Sequence, residues 1–240
     1  MSAVTALSVP IAVFGDRDAD IWGVVTGGNF SQIAIAGLTT ADVELGPVDL
    51  DLEDGEVWTL TASGCALRVE RAGKSATTTN DDQELEPCRV SGAATIEGVE
   101  REFDVGGVRS TGFAIDKVDS VRVFASWFPA GHEVALLSAR PKGAKGHDRD
   151  SVRVVARGEE HPLVVDPRLS TTYDDRGAPR RAGIELWLGE SEDGELWPRR
   201  VAGTATGSHI DRTGFSAYAF ECVSRGETGA GIYVLARGQA

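Results

Sequence analysis

The sequence predicts an all-β protein: two successive antiparallel β barrels or sandwiches that arose from an internal duplication. Three observations predict it. Apolar residues recur at every second position, 29 glycines and nine prolines punctuate the 240 residues, and a set of short motifs occurs twice in one order. Period two is the strand signature, because successive side chains of a strand point to opposite faces. Glycine and proline spread this evenly leave few stretches long enough for a helix.

The elements follow in chain order. Val4–Phe14 is an apolar stretch broken by Ser8 and Pro10, and the first basic residue is Arg17. A secretory leader needs early positive charge and an unbroken apolar run, so none is expected. No window approaches the roughly 20 continuous apolar residues of a membrane helix, so no membrane span is expected either. Asp54-Gly55 is a turn signal ahead of the aromatic strand Glu56-Val-Trp-Thr-Leu60. Lys74–Glu86 is polar apart from Ala76 and Leu85 and reads as a long loop. Arg89–Thr95 resumes strand character, and Glu97-Gly98 marks another turn.

Ala114–Ser120, with Ile115 and Val118 at i, i+3, is the helical candidate. In Val121–Trp127 the set Val121, Val123, Ala125 and Trp127 shares one strand face. Pro141–Asp150 has no apolar side chain except Ala144 and reads as a second long loop. Ser151–Ala156, Ile184–Leu188 and Phe215–Cys222 alternate again, with turn signals at Arg176-Gly177 and Asp193-Gly194. The count is on the order of 15 strands, at the 8–12-residue spacing expected of barrels and sandwiches.

The repeat rests on four matches. Arg89-Val-Ser-Gly-Ala-Ala-Thr95 resembles Arg200-Val-Ala-Gly-Thr-Ala-Thr206. Trp22 followed by Gly28–Ala36 resembles Trp127 followed by Gly131–Ala139, and the strand of Trp58 resembles that of Trp187. Order and similar spacing predict a unit duplicated near 1–113 and 114–240, with the two copies packed together because each alone has a modest core.

The net charge of −13, with no compensating basic run, argues against nucleic acid as a partner. Cys65, Cys88 and Cys222 are odd in number and lack paired spacing. They fit neither a zinc site nor a disulfide framework, and they suit buried positions in a protein of the reducing cytoplasm. Gly-x-Ser-x-Gly, phosphate-loop, dinucleotide-binding and His-Glu-x-x-His motifs are absent, which argues against α/β serine hydrolases, nucleotide-dependent enzymes and zincins.

At several of these residues the sequence resembles the lipocalin-like proteins related to carotenoid hydratases, the hydroxyneurosporene synthase or AttH-like group. The residues are Arg89-Val-Ser-Gly92, Ile96-Glu-Gly98, Gly107-Val-Arg109, Trp127, Arg180–Leu186, Arg200-Val-Ala-Gly203 and Gly229-Ala-Gly-Ile-Tyr233. Where that group continues with a His and a Trp, this chain has Ser110-Thr-Gly-Phe113. The resemblance implies two successive lipocalin-like barrels. It also implies an apolar, isoprenoid- or lipid-like small molecule as partner, either bound or hydrated, isomerised or cyclised without a cofactor. A carbohydrate-binding double β-sandwich and a non-catalytic interaction module are the alternatives, the first motivated by tryptophan and aspartate on a β scaffold.

The candidate catalytic residues are Glu185, His132, His147 and Asp148. Glu185 shares a strand face with Trp187, and a carboxyl desolvated beside an aromatic wall has its pKa raised and can protonate an alkene. In Lys145-Gly-His147-Asp-Arg-Asp150 a histidine stands beside carboxylates, as a general base requires. Lys142, Lys145 and Arg149 oppose a cation there, so no metal site is expected. His132 opens an apolar strand. The candidate ligand-binding residues are Trp127, Trp187, Arg109 and Arg140; the two arginines stand at strand ends, where each can pair with an acid or orient an anionic or carbonyl-bearing ligand.

Overall fold

In a computed structural model, residues 8–27, 31–40, 43, 46–52, 56–73, 85–145, 150–157, 164–188, 198–212 and 214–238 are described. Seventeen strands and one 3-10 turn lie among them. The first sheet contains β1 (Ser8–Asp16), β2 (Ile21–Thr26), β3 (Gln32–Ala36), β4 (Gly46–Pro47), β5 (Asp49–Asp51), β6 (Val57–Ala62), β7 (Cys65–Arg71), β8 (Leu85–Ile96) and β9 (Val99–Ala114). The second contains β10 (Val118–Trp127), β11 (Glu133–Pro141), β12 (Ser151–Arg157), β13 (Val164–Tyr173), β14 (Pro179–Leu188), β15 (Arg199–Arg212), β16 (Phe215–Ser224) and β17 (Glu227–Arg237).

Both sheets are antiparallel meanders in which the first strand pairs with the last. The orders are β4-β3-β2-β1-β9-β8-β7-β6-β5 and β12-β11-β10-β17-β16-β15-β14-β13. Each sheet curls into a nearly closed barrel, leaving its seam between β4 and β5 or between β12 and β13. One topology is therefore used twice, as the duplication predicts.

Most of the sequence matches, however, pair the wrong strands. β1 corresponds to β10, β2 to β11, β8 to β16 and β7 to β15. The Arg89 segment lies on β8 and its match at Arg200 on β15; Trp22 lies on β2 and Trp127 on β10. Only the Trp58 and Trp187 strands, β6 and β14, are equivalent. The loops differ in length: β1 opens at Ser8 and β10 at Val118, whereas β8 opens at Leu85 and β16 at Phe215. No single offset aligns the halves. Short Gly, Val and Ala strings recur because strand neighbours of the same shape demand them. The better signal is Cys88 on β8 and Cys222 on β16, buried on equivalent strands. A side chain added at the neighbouring-strand glycine, Gly107 or Gly231, would collide with the thiol.

The helical candidate is a single 3-10 turn, Ile115–Lys117, and the β-branched Val118 already begins β10. Three residues suffice to pass the chain between sheets. Leu85 and Glu86, expected in a loop, open β8 and are buried; 74–84 lie outside the described residues. Glu97-Gly98 makes the expected hairpin turn with φ of 52° and 80°, the two left-handed positions that suit the twist of the flanking strands. Asp54-Gly55 and Asp193-Gly194 lie outside the described residues.

The core has three layers. Trp58, Leu60, Val69, Phe14 and Val90 fill the first barrel, and Phe124, Phe220, Ile184, Leu186 and Tyr233 fill the second. Between the barrels lies a shared layer: Val13, Trp22 and Val108 from one sheet against Val123, Ala125, Trp127 and Ile232 from the other. Strands β10 and β16 are thus buried on both faces. Val121, Val123, Ala125 and Trp127 share a face as alternation predicts, and Phe124 on the opposite face is buried in the lumen. Burying an aromatic of that size contributes about 1.5–3 kcal/mol.

Polar contacts pin the barrels together. Trp22 Nε1 donates to Ser208 Oγ at 2.8 Å and to the Gly37 carbonyl at 3.1 Å, and Ser208 Oγ donates to the same carbonyl. Thr206 Oγ1 donates to the Leu38 carbonyl. The pinning segment interrupts the β15–β16 ladder between Ala205 and His209, where Gly207 adopts φ of 106°.

Candidate functional site

The inward faces of the second barrel change character along its length. Toward the β10–β11 turn they are apolar, with Phe124 and Phe220 packed edge to face at 5.4 Å. Toward the opposite end the same faces present Arg122, Ser138, Arg140 and Tyr233. These groups meet because β10 pairs with both β11 and β17: Arg122 stands opposite Ser138 and Leu235, and Phe124 opposite Tyr233. Two clefts open at this mouth. One, of about 450 Å³, is lined by Ser120, Arg140, Tyr173, Leu235 and Arg237. The other, of about 470 Å³, lies along the seam and is lined by Leu136, Asp150, Val152, Leu169 and Thr171. Arg122 and Tyr173 line both.

Asp150 organises the mouth. Its buried carboxylate accepts from Arg122 Nη2 at 2.9 Å, Ser138 Oγ at 3.0 Å and Arg140 Nε at 3.3 Å. Both arginines keep access to solvent, with side chains 17% and 27% exposed. Among the described residues lining the clefts, the cations are Arg122, Arg140, Arg168 and Arg237, and the carboxylate is Asp150. Arg168 is paired with Asp166. Among the described residues lining the clefts, with Asp166 added, arginines outnumber carboxylates four to two, in a chain of net charge −13.

Tyr233 is buried behind Tyr173 and Thr171 and lines neither cleft itself, its ring packed on Phe124 and Phe220. Its hydroxyl meets Tyr173 Oη at 3.0 Å and accepts from Thr171 Oγ1 at 3.3 Å. Burial pushes its phenol pKa well above the ordinary value, outweighing the hydrogen bond from Thr171 and, more weakly, the Arg122 cation. The hydroxyl stays protonated. A neutral phenol beside a guanidinium, under apolar walls, can hold a carbonyl or carboxylate oxygen and stabilise negative charge developing on it.

The predicted residues are scattered. Arg140 lines the mouth. Arg109 is in the first barrel, 1% exposed, with Nε on Glu86 at 3.1 Å, Nη1 on the Glu56 carbonyl at 2.8 Å and its guanidinium 5.3 Å from the Trp58 ring centroid. Trp127 lies in the shared layer against Gly106, where a side chain would collide with it. Glu185 and Trp187 do share a face, but it is the outer one. Glu185 pairs with Arg200 at 3.0 Å, and Trp187 carries the Arg168 guanidinium at 5.8 Å. Their neighbours Ile184 and Leu186 occupy the lumen, so the pair lines no lumenal pocket. His132 is in the β10–β11 turn at the far end from the mouth, stacked on Phe128 at 4.2 Å and 3.8 Å from Glu227. His147 and Asp148 lie outside the described residues; Asp150, from the same motif, is the acid that binds Arg122 and Arg140. No cluster of three or more metal-ligating side chains occurs among the described residues, and no helix there is long and apolar enough to cross a membrane.

Sequence reasoning missed Arg122, Tyr173 and Tyr233. Arg122 had a signal: it interrupts a strand whose neighbours on both faces are buried.

Fold and site together define a two-barrel, lipocalin-like protein with an open-mouthed second barrel. Solved structures agree on the fold. The chain is similar to CghA, with 12% identity and a TM-score of 0.64 over 98% of this chain and 89% of that one. It is similar also to an AttH candidate from Nitrosomonas europaea, with 9% identity and a TM-score of 0.61 over 99% and 95%. At such identity the likeness concerns the fold alone. No family model matches the chain, and no curated protein resembles it in sequence.

Proposed function

We propose that the mouth of the second barrel binds an apolar, isoprenoid- or lipid-like molecule ending in a carboxylate or carbonyl, and that any chemistry there is cofactor-independent hydration, isomerisation or cyclisation. The observation that carries this reading is the excess of arginines over carboxylates among the described cleft residues, beside a buried neutral phenol and above a lumen lined by aliphatic and aromatic side chains. Arg140 and Arg122 hold the oxygen, Tyr233 donates to it, and Leu136, Val152, Leu169 and Leu235 receive the apolar part. The glycan reading has less support among the described tryptophans, since Trp22, Trp58 and Trp127 are buried and Trp187 carries the Arg168 guanidinium; Trp197 lies outside the described residues. The reducing cytoplasm is the proposed setting, where three free thiols, two of them buried in separate barrels, are stable.

Native mass spectrometry and solvent extraction of the purified protein test the reading, together with melting in the presence of isoprenoid and fatty acids. A bound apolar acid, or a raised melting temperature that Arg140→Ala abolishes, is the expected result. An empty protein that no acid stabilises would sink it.

A further inference from the structure

This inference rests on the binding reading above and concerns how the mouth admits its ligand. The two clefts share two lining residues, Arg122 and Tyr173. Tyr173 is 45% exposed, unusual for a large aromatic, and is the last residue of β13. Its pairing with β14 skips Arg180, a bulge in the partner strand, while Tyr173 itself keeps the alternation of Leu169 and Thr171 and lines the seam cleft with them. The turn behind it is tightly fixed. The Asp174 carboxylate accepts from the Ala178 and Arg176 amides, both at 2.9 Å, and pairs with Arg180 at 3.2 Å. Gly177 supplies the φ of 81° the turn needs. The backbone is thus held, while the hydroxyl of Tyr173 bonds to Tyr233.

The polarity of that contact is informative. Either hydroxyl can donate in the Tyr173–Tyr233 pair; because Tyr233 Oη already accepts from Thr171, the arrangement that uses its own proton directs it to Tyr173 Oη. The Tyr173 oxygen then sits where a ligand's acceptor oxygen would sit, at the phenol donor and within the cleft that Arg122 lines.

We propose that Tyr173 is a displaceable latch standing in for a ligand oxygen: a carboxylate or carbonyl takes its place at Tyr233 Oη and Arg122, the Tyr173 ring swings out, and the two clefts become one. Each cleft alone falls in the lower half of the range for small-molecule sites, about 300–1,000 Å³. Joined, they approach its upper end. The latch selects for ligands with an oxygen to displace it and an apolar part too long for one cleft.

Calorimetric titration with saturated fatty acids from octanoate to hexadecanoate, and with the matching primary alcohols, tests this on the full chain. Tyr173→Phe removes one neutral hydrogen bond from the closed state and should tighten acid binding about fivefold. Tyr173→Ala should favour the longest acids most, shifting the optimum chain length upward. Tyr233→Phe should shrink the preference for acid over alcohol. Melting curves of Tyr173→Phe check that the fold persists. If the acids bind but both Tyr173 variants keep wild-type affinity at every chain length, the latch is overturned and the binding reading stands. If no form binds any acid, both fall.

Discussion

The two barrels share a strand order and differ in what they place inside their paired first and last strands. In the first barrel Ala12 stands opposite Arg109; in the second Phe124 stands opposite Tyr233. Arg109 is met on every side, by Glu86, by a backbone carbonyl and by the face of Trp58, and solvent reaches 1% of it. Glu86 is itself met by Arg71 at 3.0 Å. That ion pair is a plug. In the second barrel Arg122 and Arg140 both bind Asp150, keep contact with water and border open clefts. Among the described residues, one scaffold thus holds a buried ion pair inside one barrel and arginines bordering open clefts in the other.

The largest expected effect comes from separating what is compared. We propose 1–113 and 114–240 as the two units, joined by a layer to which both contribute. Expressed apart, each half should expose that layer and fail to give a cooperative melt, and mixing should restore one. A cooperative transition from either half alone would show that the barrels are independent. Next in size is Glu86→Ala, which strands the Arg109 cation in the first lumen and should cost about 3–5 kcal/mol in urea unfolding. Asp150→Ala in the second barrel removes an acid from two arginines that already reach water, and should cost only about 1–2 kcal/mol. Equal losses would erase the distinction between plug and mouth. Smaller again is Trp22→Phe, which deletes the donor to Ser208 across the units and to Gly37 within its own, and should cost about 1 kcal/mol.

The fold was legible because alternation is a local property. Val121–Trp127 and Phe215–Cys222 declare strands from their own residues. The shared layer was less legible: alternation assigns Val123 and Phe124 to opposite faces without saying that both faces are covered. The same ambiguity placed Glu185 and Trp187 together correctly and on the wrong side of the wall, since period two fixes which residues share a face but not which face is inside. Residues Arg122, Arg140, Asp150, Tyr173 and Tyr233 span more than a hundred positions and form no motif. They converge because β17 returns to β10 and the seam leaves β12 and β13 facing one cleft. Arg140 was found as a strand-end arginine, a criterion that picked Arg109 equally, and only burial separates the two.

The smallest predicted effect separates the two ends of the second barrel. His132 lies at the end away from the mouth, stacked on Phe128. Its pKa is lowered, first by desolvation and then by Arg225 and Arg199, with Glu227 opposing. As pH falls through the unfolded value of about 6.5, the unfolded chain takes up this proton before the folded one does. The stability that neutral His132 confers is therefore complete above that pH and declines below it, until the folded pKa is reached. Urea midpoints at neutral and mildly acidic pH should show a loss on acidification that His132→Gln reduces. Binding at the mouth should not respond to that substitution at either pH, because His132 lies at the other end of the barrel from Arg122 and Arg140. A ligand affinity that tracks His132 would mean that the two ends communicate through the lumen.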